Sequence, residues 1–103
     1  QIGHNVEIGK NTAIAGLTAI AGSTKIGENC LIGGQCAITG HIKIGNNVKI
    51  AGNSGIGCNI SDNQTIQGEY AFNKQDFQRS YILFKRLPKI VKRIDSIEKD
   101  LKR

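Results

Sequence analysis

The sequence predicts an all-β solenoid, a parallel β-helix, followed by a C-terminal α-helical arm, and three observations carry that prediction. Isoleucine returns every six residues at Ile2, Ile8, Ile14, Ile20, Ile26, Ile32, Ile38, Ile44, Ile50 and Ile56, each followed by Gly, Ala or Thr. The fifth position of each six-residue unit (Val6, Thr12, Thr18, Thr24, Cys30, Cys36, Ile42, Val48, Ser54 and Ile60) is β-branched or small. Beyond Gly68 this period stops, and apolar residues recur at spacings of three and four.

A period of six suits neither one helix nor one long strand, whose repeats are about 3.6 and 2 residues. It suits a short strand and a corner, repeated. Three units make one triangular coil, so Ile2, Ile20, Ile38 and Ile56 are expected to stack on one face, Ile8, Ile26 and Ile44 on the second, and Ile14, Ile32 and Ile50 on the third. The interior is then a dry isoleucine column, and the fifth positions are strand residues packed in a narrow coil. Corners rich in Gly and Asn (Gly9, Asn11, Gly27, Asn29, Gly33, Gly45, Asn46 and Asn47) are expected to adopt unusual backbone angles. Asp62 falls where an eleventh isoleucine is due, with Ile66 at the fifth position, so the last coil is expected to fray through Gln67 and Gly68.

The predicted domains are a solenoid over 1–68 and a helical extension over 69–103, with a connector from Gly68 to Asn73. Asn73 is a plausible N-cap, with Asp76 in the acid-favouring first turn. Phe77, Tyr81 and Phe84 give an aromatic stripe, and Pro88 is expected to interrupt or kink the helix. Leu87, Ile90, Ile94, Ile97 and Leu101 follow as a coiled-coil seam of about two heptads. So short a helix is marginal alone. Three copies around an axis would bury one another's seams, and a short solenoid has the same need of neighbours.

The chain has 103 residues and a formal charge of +6, most of it in the arm, where residues 61–103 carry ten Lys or Arg against six Asp or Glu. It opens at Gln1 inside the repeat, which leads us to expect a further N-terminal domain in the parent protein. No apolar run approaches the roughly 18 residues of a membrane span and no signal peptide is visible. Cys30 and Cys36 fall on different faces and Cys58 stacks on neither, so these are expected to be free thiols in a reducing cytoplasm.

Two histidines are the first candidates for chemistry. His4 and His41 are 37 residues apart, two coils plus one residue, which puts them on one edge at roughly 10 Å and lining one groove. One metal ion cannot take both, because a Zn–N bond is about 2 Å, and no CxxC is present, so no metal site is expected. Either they are exposed polar corner residues or one is a general base, a role that suits an imidazole titrating near neutrality. Gly22 stands one coil from His4, where a bare N–H could donate to an oxyanion. No cysteine has a histidine partner at a matching place in the coil, so a thiol nucleophile is not invoked.

The segments Ile2-Gly3-His4-Asn5-Val6, Ile20-Ala21-Gly22-Ser23, Ile32-Gly33-Gly34-Gln35 and Gly40-His41, with Phe77-Gln78-Arg79-Ser80-Tyr81 and Arg86-Leu87-Pro88 through Arg93-Ile94-Asp95, resemble the UDP-3-O-acylglucosamine N-acyltransferases of lipid A biosynthesis. The resemblance implies a left-handed coil, a homotrimer with active sites between subunits, and an N-terminal uridine-binding domain that this chain does not contain. It implies transfer of an R-3-hydroxyacyl group from acyl carrier protein, whose phosphopantetheine thioester is the co-substrate, to the 2-amino group of a UDP-3-O-acylglucosamine. No cofactor is implied. His4 matches the general base, Gly22 the oxyanion donor, and Asn5 and His41 fall in segments that line the substrate groove. Gly55 stands where some relatives place a bulkier residue that limits acyl length, and here it would leave the groove open for a long chain.

The basic arm, including Lys85, Arg86, Lys89, Lys92 and Arg93, could steer the acidic carrier protein, with Arg86, Lys89 and Arg93 as the expected contacts, or could be a solvated face around the seam. Nucleic-acid binding is disfavoured, because the charges interleave with the seam and Pro88 breaks a recognition helix. A hexapeptide carbonic anhydrase would need three histidine ligands per zinc. The nearer rivals are a UDP-N-acetylglucosamine O-acyltransferase or sugar N-acetyltransferase of the same fold, and a non-enzymatic trimeric scaffold.

Overall fold

The computed structural model describes residues 1–68 and 72–102, and divides the chain into two compact units, Gln1–Tyr70 and Ala71–Arg103. Part of the predicted connector, residues 69–71, lies outside the described residues. The first unit is a parallel β-solenoid of two-residue strands, β1 (Glu7–Ile8), β2 (Ala13–Ile14), β3 (Ala19–Ile20), β4 (Lys25–Ile26), β5 (Leu31–Ile32), β6 (Ala37–Ile38), β7 (Lys43–Ile44), β8 (Lys49–Ile50), β9 (Gly55–Ile56) and β10 (Thr65–Ile66). They pair into three flat sheets, β1-β4-β7, β2-β5-β8-β10 and β3-β6-β9, one per face of a triangular prism.

The isoleucine columns stack as the period predicts, with Ile8 on Ile26, Ile14 on Ile32 and Ile20 on Ile38. Ile20, Ile26, Ile32, Ile38, Ile44, Ile50 and Ile56 are buried, while Ile2 and Ile8 in the first coil, which has a neighbouring coil on one side only, are 58% and 39% exposed. The fifth positions do more than fill space. Thr12, Thr18 and Thr24 donate their hydroxyls to the carbonyls of Gly27, Gly33 and Thr39 at 2.7–2.9 Å, and the Cys30 and Cys36 thiols donate in the same sense to Gly45 and Ala51. These carbonyls belong to corners, which lack ladder partners, so the small polar side chains satisfy partly buried acceptors that β-branched hydrocarbons would leave bare.

The corners correct the expectation for glycine. Every positive φ is found on a non-glycine residue, at Asn5, Asn11, Leu17, Ser23, Asn29, Gln35, His41, Asn47, Asn53 and Asn63, and on no described glycine. Asn predominates because its short polar side chain tolerates the left-handed region. The glycines serve close approach instead. A Cβ on Gly9 would lie 2.6 Å from the Gly27 carbonyl, and one on Gly33 2.5 Å from the Gly52 nitrogen.

The last coil also differs from expectation. It does not fray; it is shortened by two residues. Ile60 pairs with Ile44 and Ile66 with Ile50, so both continue the isoleucine columns rather than occupying fifth positions. Asp62 is a corner residue. Its Oδ1 accepts from the Asn46 N–H across 16 residues, as Asn46 Oδ1 accepts from the Glu28 N–H across 18. The unit beginning at Ile56 has lost its left-handed corner residue, and the coil still closes through Gly68, whose N–H donates to Ser54 Oγ.

The faces differ in what they turn outward. The β1-β4-β7 face presents Glu7, Lys25 and Lys43, whereas β2-β5-β8 presents Ala13, Leu31 and Lys49, and β3-β6-β9 presents Ala19, Ala37 and Gly55. Leu17 stands on the edge between the β2-β5-β8 and β3-β6-β9 faces, 82% exposed at φ 62°.

The second unit is α1, Lys74–Leu101, and Asn73 caps it by accepting from the Gln75 and Asp76 N–H groups. Pro88 lies inside the helix without ending it, contrary to the expected interruption. One missing N–H removes a single rung, which the turns on either side tolerate. The consequence is a longer seam, since Leu83 now precedes Leu87, Ile90, Ile94, Ile97 and Leu101 at the same alternation of four and three. No described helix is long and apolar enough to cross a membrane.

Candidate active site

One edge of the prism carries both histidines. Its corners are His4-Asn5, Gly22-Ser23 and Gly40-His41, stacked by the coil period. The His4 carbonyl accepts from Ser23 N–H at 2.7 Å, and the Gly22 carbonyl accepts from His41 N–H at 3.0 Å. This backbone ladder fixes the register. His4, Gly22 and Gly40 form one column, and Asn5, Ser23 and His41 form the next, with their backbones in the left-handed region.

The two columns have different surroundings. His4 and Gly22 line a shallow groove of about 560 Å³ together with Gly3, Ala21 and Thr39, over a floor that includes Ala19 and Ala37 of β3 and β6. Asn5 and His41 are on the same edge but not among the residues lining that groove. Of the two histidines, His4 is the one that lines this groove. Gly55 continues the floor, because it pairs with Ala37 as Ala37 pairs with Ala19, and a Cβ there would meet nothing within 4 Å.

His4 is exposed, and among the described residues its imidazole makes no hydrogen bond. A free imidazole at the head of an open groove can accept a proton from a nucleophile that enters it. Among the described residues the Gly22 N–H donates to no backbone carbonyl. That freedom is shared by Gly16, Gly34, Gly40 and Gly52 at equivalent corners, so what distinguishes Gly22 is its place beside His4. Gly22 is closely stacked on His4, since a Cβ would sit 3.3 Å from the His4 carbonyl, a tight contact, and at Gly40 it would sit 2.8 Å from the Gly22 carbonyl. Arg86, Lys89 and Arg93 belong to the other unit, where all three are exposed along α1.

Two further surfaces were not foreseen. A groove of about 570 Å³ runs over β2, β5 and β8 between Ala13, Leu31 and Ala51. Another, of about 320 Å³, opens at the shortened corner beside Gly57, Cys58 and Asn59. The sequence held a signal for the second, because Ile60 and Ile66 are themselves six apart and restart the period in a new phase. Cys58 is exposed there, while Cys30 and Cys36 are buried, and all three thiols are free. Among the described residues no group of three His, Cys, Asp or Glu side chains is placed to hold a metal ion.

Residues 23–58 match the family described as bacterial transferase hexapeptide (six repeats). The matched stretch runs from the Gly22-Ser23 corner to the shortened one and includes His41 and Gly55 but not His4. Among solved structures the chain is similar to serine acetyltransferase isoform 3 from Entamoeba histolytica, in complex with cysteine, at 22% identity and a TM-score of 0.43. That similarity covers 78% of this chain and 38% of the other, so the chain spans well under half the length of that enzyme. No curated protein matches.

Proposed function

We propose that this hexapeptide-repeat chain is the acyl-transferring part of a UDP-3-O-acylglucosamine N-acyltransferase. The observation that carries the proposal is His4 beside Gly22 at the head of a groove floored by Ala19, Ala37 and Gly55. Thioester aminolysis needs a base, an oxyanion donor and a slot holding two substrates in line. The amine of the UDP-sugar attacks the thioester carbon of the hydroxyacyl carrier protein while His4 takes the amine proton. Gly22 N–H donates to the oxygen of the tetrahedral intermediate. Collapse breaks the C–S bond, and the imidazolium returns the proton to the departing thiolate, leaving an amide and the carrier thiol. The residues quoted for the resemblance support the choice of acceptor.

A homotrimeric, cytoplasmic enzyme fits this proposal. The β3-β6-β9 face turns Ala19, Ala37 and Gly55 outward, and the β2-β5-β8 face turns Ala13 and Leu31 outward beside Lys49, an arrangement that suits a head-to-tail ring in which one of these faces meets the other on its neighbour. Asn5 and His41 then serve substrate bound farther along the edge, and Arg86, Lys89 and Arg93 attract the acidic carrier protein.

The test is acyl transfer by the full-length protein, with R-3-hydroxyacyl carrier protein as donor and UDP-3-O-acylglucosamine as acceptor. N-acylated product at a turnover of about 1 s⁻¹ or more supports the proposal. No transfer to this amine, with transfer to a sugar hydroxyl or from acetyl-coenzyme A, overturns it. Gly55→Met gives a second expected outcome. A side chain added in the open space at Gly55 shortens the floor, so the preferred donor becomes shorter by about the length of the side chain, read from relative kcat/KM across a donor-length series. An unchanged preference would place the acyl chain elsewhere.

A further inference from the structure

We propose that one side of α1 docks on an anionic lipid surface. The helix carries three stripes. The seam from Leu83 to Leu101 is aliphatic. A second stripe, Phe77, Tyr81, Phe84, Pro88 and Val91, repeats the alternation of four and three, lies roughly 120° away around the helix at 3.6 residues per turn, and stops at Asp95 and Glu98, so the docking side is confined to the first five turns. Lys74, Lys85, Lys92 and Lys99 border this second stripe along one flank, whereas Arg79, Arg86, Lys89 and Arg93 occupy the remaining side.

The aromatic stripe is a continuous array. Phe77 and Tyr81 stack at 5.8 Å, Tyr81 and Phe84 at 6.3 Å, and Phe72 meets Phe77 edge-on at 5.5 Å. Lys85 Nζ sits 5.6 Å from the Tyr81 ring centre, which joins the basic flank to the rings. All three Phe of the chain and Tyr81 are in this array, and each of the four is 39–67% exposed. Concentrating aromatic rings on one side of a helix, outside a core built from isoleucine, calls for an occupant.

Charge decides which one. Residues 72–102 carry nine Lys or Arg against four Asp or Glu, so the occupant is negative. A second copy laid antiparallel on this stripe would bring the lysine flanks against each other, whereas the aliphatic seam offers self-association without that opposition. An acidic protein would satisfy the lysines but offers no acyl layer for a strip of rings. A lipid interface satisfies both, because rings settle at the headgroup boundary while flanking lysines extend their charges to the phosphates. The helix is too polar to span, so it would lie in the plane of the surface. This inference does not depend on the reaction proposed above.

The experiment is vesicle cosedimentation of the full-length protein with neutral phosphatidylcholine and with phosphatidylcholine containing phosphatidylglycerol, with protein alone as the pelleting control. Partition onto the anionic vesicles is expected to exceed that onto neutral ones by about tenfold or more and to fall as salt rises. Phe77→Ser with Phe84→Ser, and separately Lys85→Glu with Lys92→Glu, should each lower it by about an order of magnitude with helicity by circular dichroism unchanged, while Arg86→Glu with Arg93→Glu has a smaller effect. The salt titration uses unaltered protein and stands even if a variant fails to fold. No partition onto anionic vesicles, an equal loss from the arginine pair, or binding confined to acyl carrier protein would overturn the proposal.

Discussion

If the proposed reaction holds, His4→Ala is expected to lower kcat for N-acyl transfer by several hundred-fold or more without disturbing the fold. General-base assistance is worth about 10²–10⁴ in rate. The loss should fall on kcat rather than on KM, since the imidazole meets the nucleophile's proton only as the C–N bond forms. The substitution is structurally mild. His4 is an exposed corner residue whose contribution to the ladder is its backbone carbonyl, which accepts from Ser23 and which alanine retains. Thermal melting and light scattering should therefore be unchanged while turnover collapses. An alanine variant that transfers acyl groups at the normal rate would leave His4 as a polar corner residue and remove the base from the mechanism. His41→Ala is the informative companion. Because His41 stacks in the adjacent column, outside the groove lining, its removal should be felt mainly in KM.

The coil was legible because its rule is arithmetic. A side chain every sixth residue, stacked every third unit, can be counted without knowing any angle, and the columns from Ile2 to Ile56 follow the count. The edge shared by His4 and Gly22 was legible for the same reason. The shortened coil was misread because counting forward in fixed sixes puts Ile60 at a fifth position, where isoleucine is acceptable, so nothing local signals the slip. Only the next members, Ile66 and the corner pair Asp62-Asn63, show the phase change. The corner glycines were misread for a different reason. Glycine permits both positive φ and close approach, and composition cannot separate the two; here Asn, Leu17, Ser23, Gln35 and His41 take the backbone angle while glycine takes the contact. Of the two outcomes expected at Pro88, an interruption or a kink, the interruption does not occur, because the surrounding stretch is dense in Leu, Ile, Lys and Arg. What the period could not reveal is the difference between neighbouring columns on one edge. The period already sets His41 one residue off the His4 column, but it takes the structure to show that the groove over β3 and β6 is lined by His4.

Gly27→Ala should be among the most damaging single-methyl changes in the solenoid, costing about 1–3 kcal/mol or more. A Cβ there would stand 2.6 Å from the Gly45 carbonyl oxygen and closer still to the Asn46 side-chain oxygen, which itself holds the Glu28 N–H at 2.8 Å. Neither obstacle can swing aside. The carbonyl is main chain, and moving Asn46 would leave the Glu28 amide without its acceptor while the two coils separate at that corner. Separation in turn loosens the Gly27 N–H to Ile44 carbonyl bond, 2.8 Å long, on which the stacking of Ile26 over Ile44 depends. The comparison that isolates this effect is Gly55→Ala, which adds the same methyl to the same kind of coil where nothing lies within 4 Å. Both substitutions reduce the freedom of the unfolded chain in the same way, so their difference reports the clash alone. Thermal or urea unfolding of the two variants beside the unaltered protein should place Gly27→Ala well below the others, with Gly55→Ala at or slightly above the starting stability. Equal stabilities would mean that neighbouring coils can part at a corner without loss, and close approach would then not be what selects glycine in this repeat.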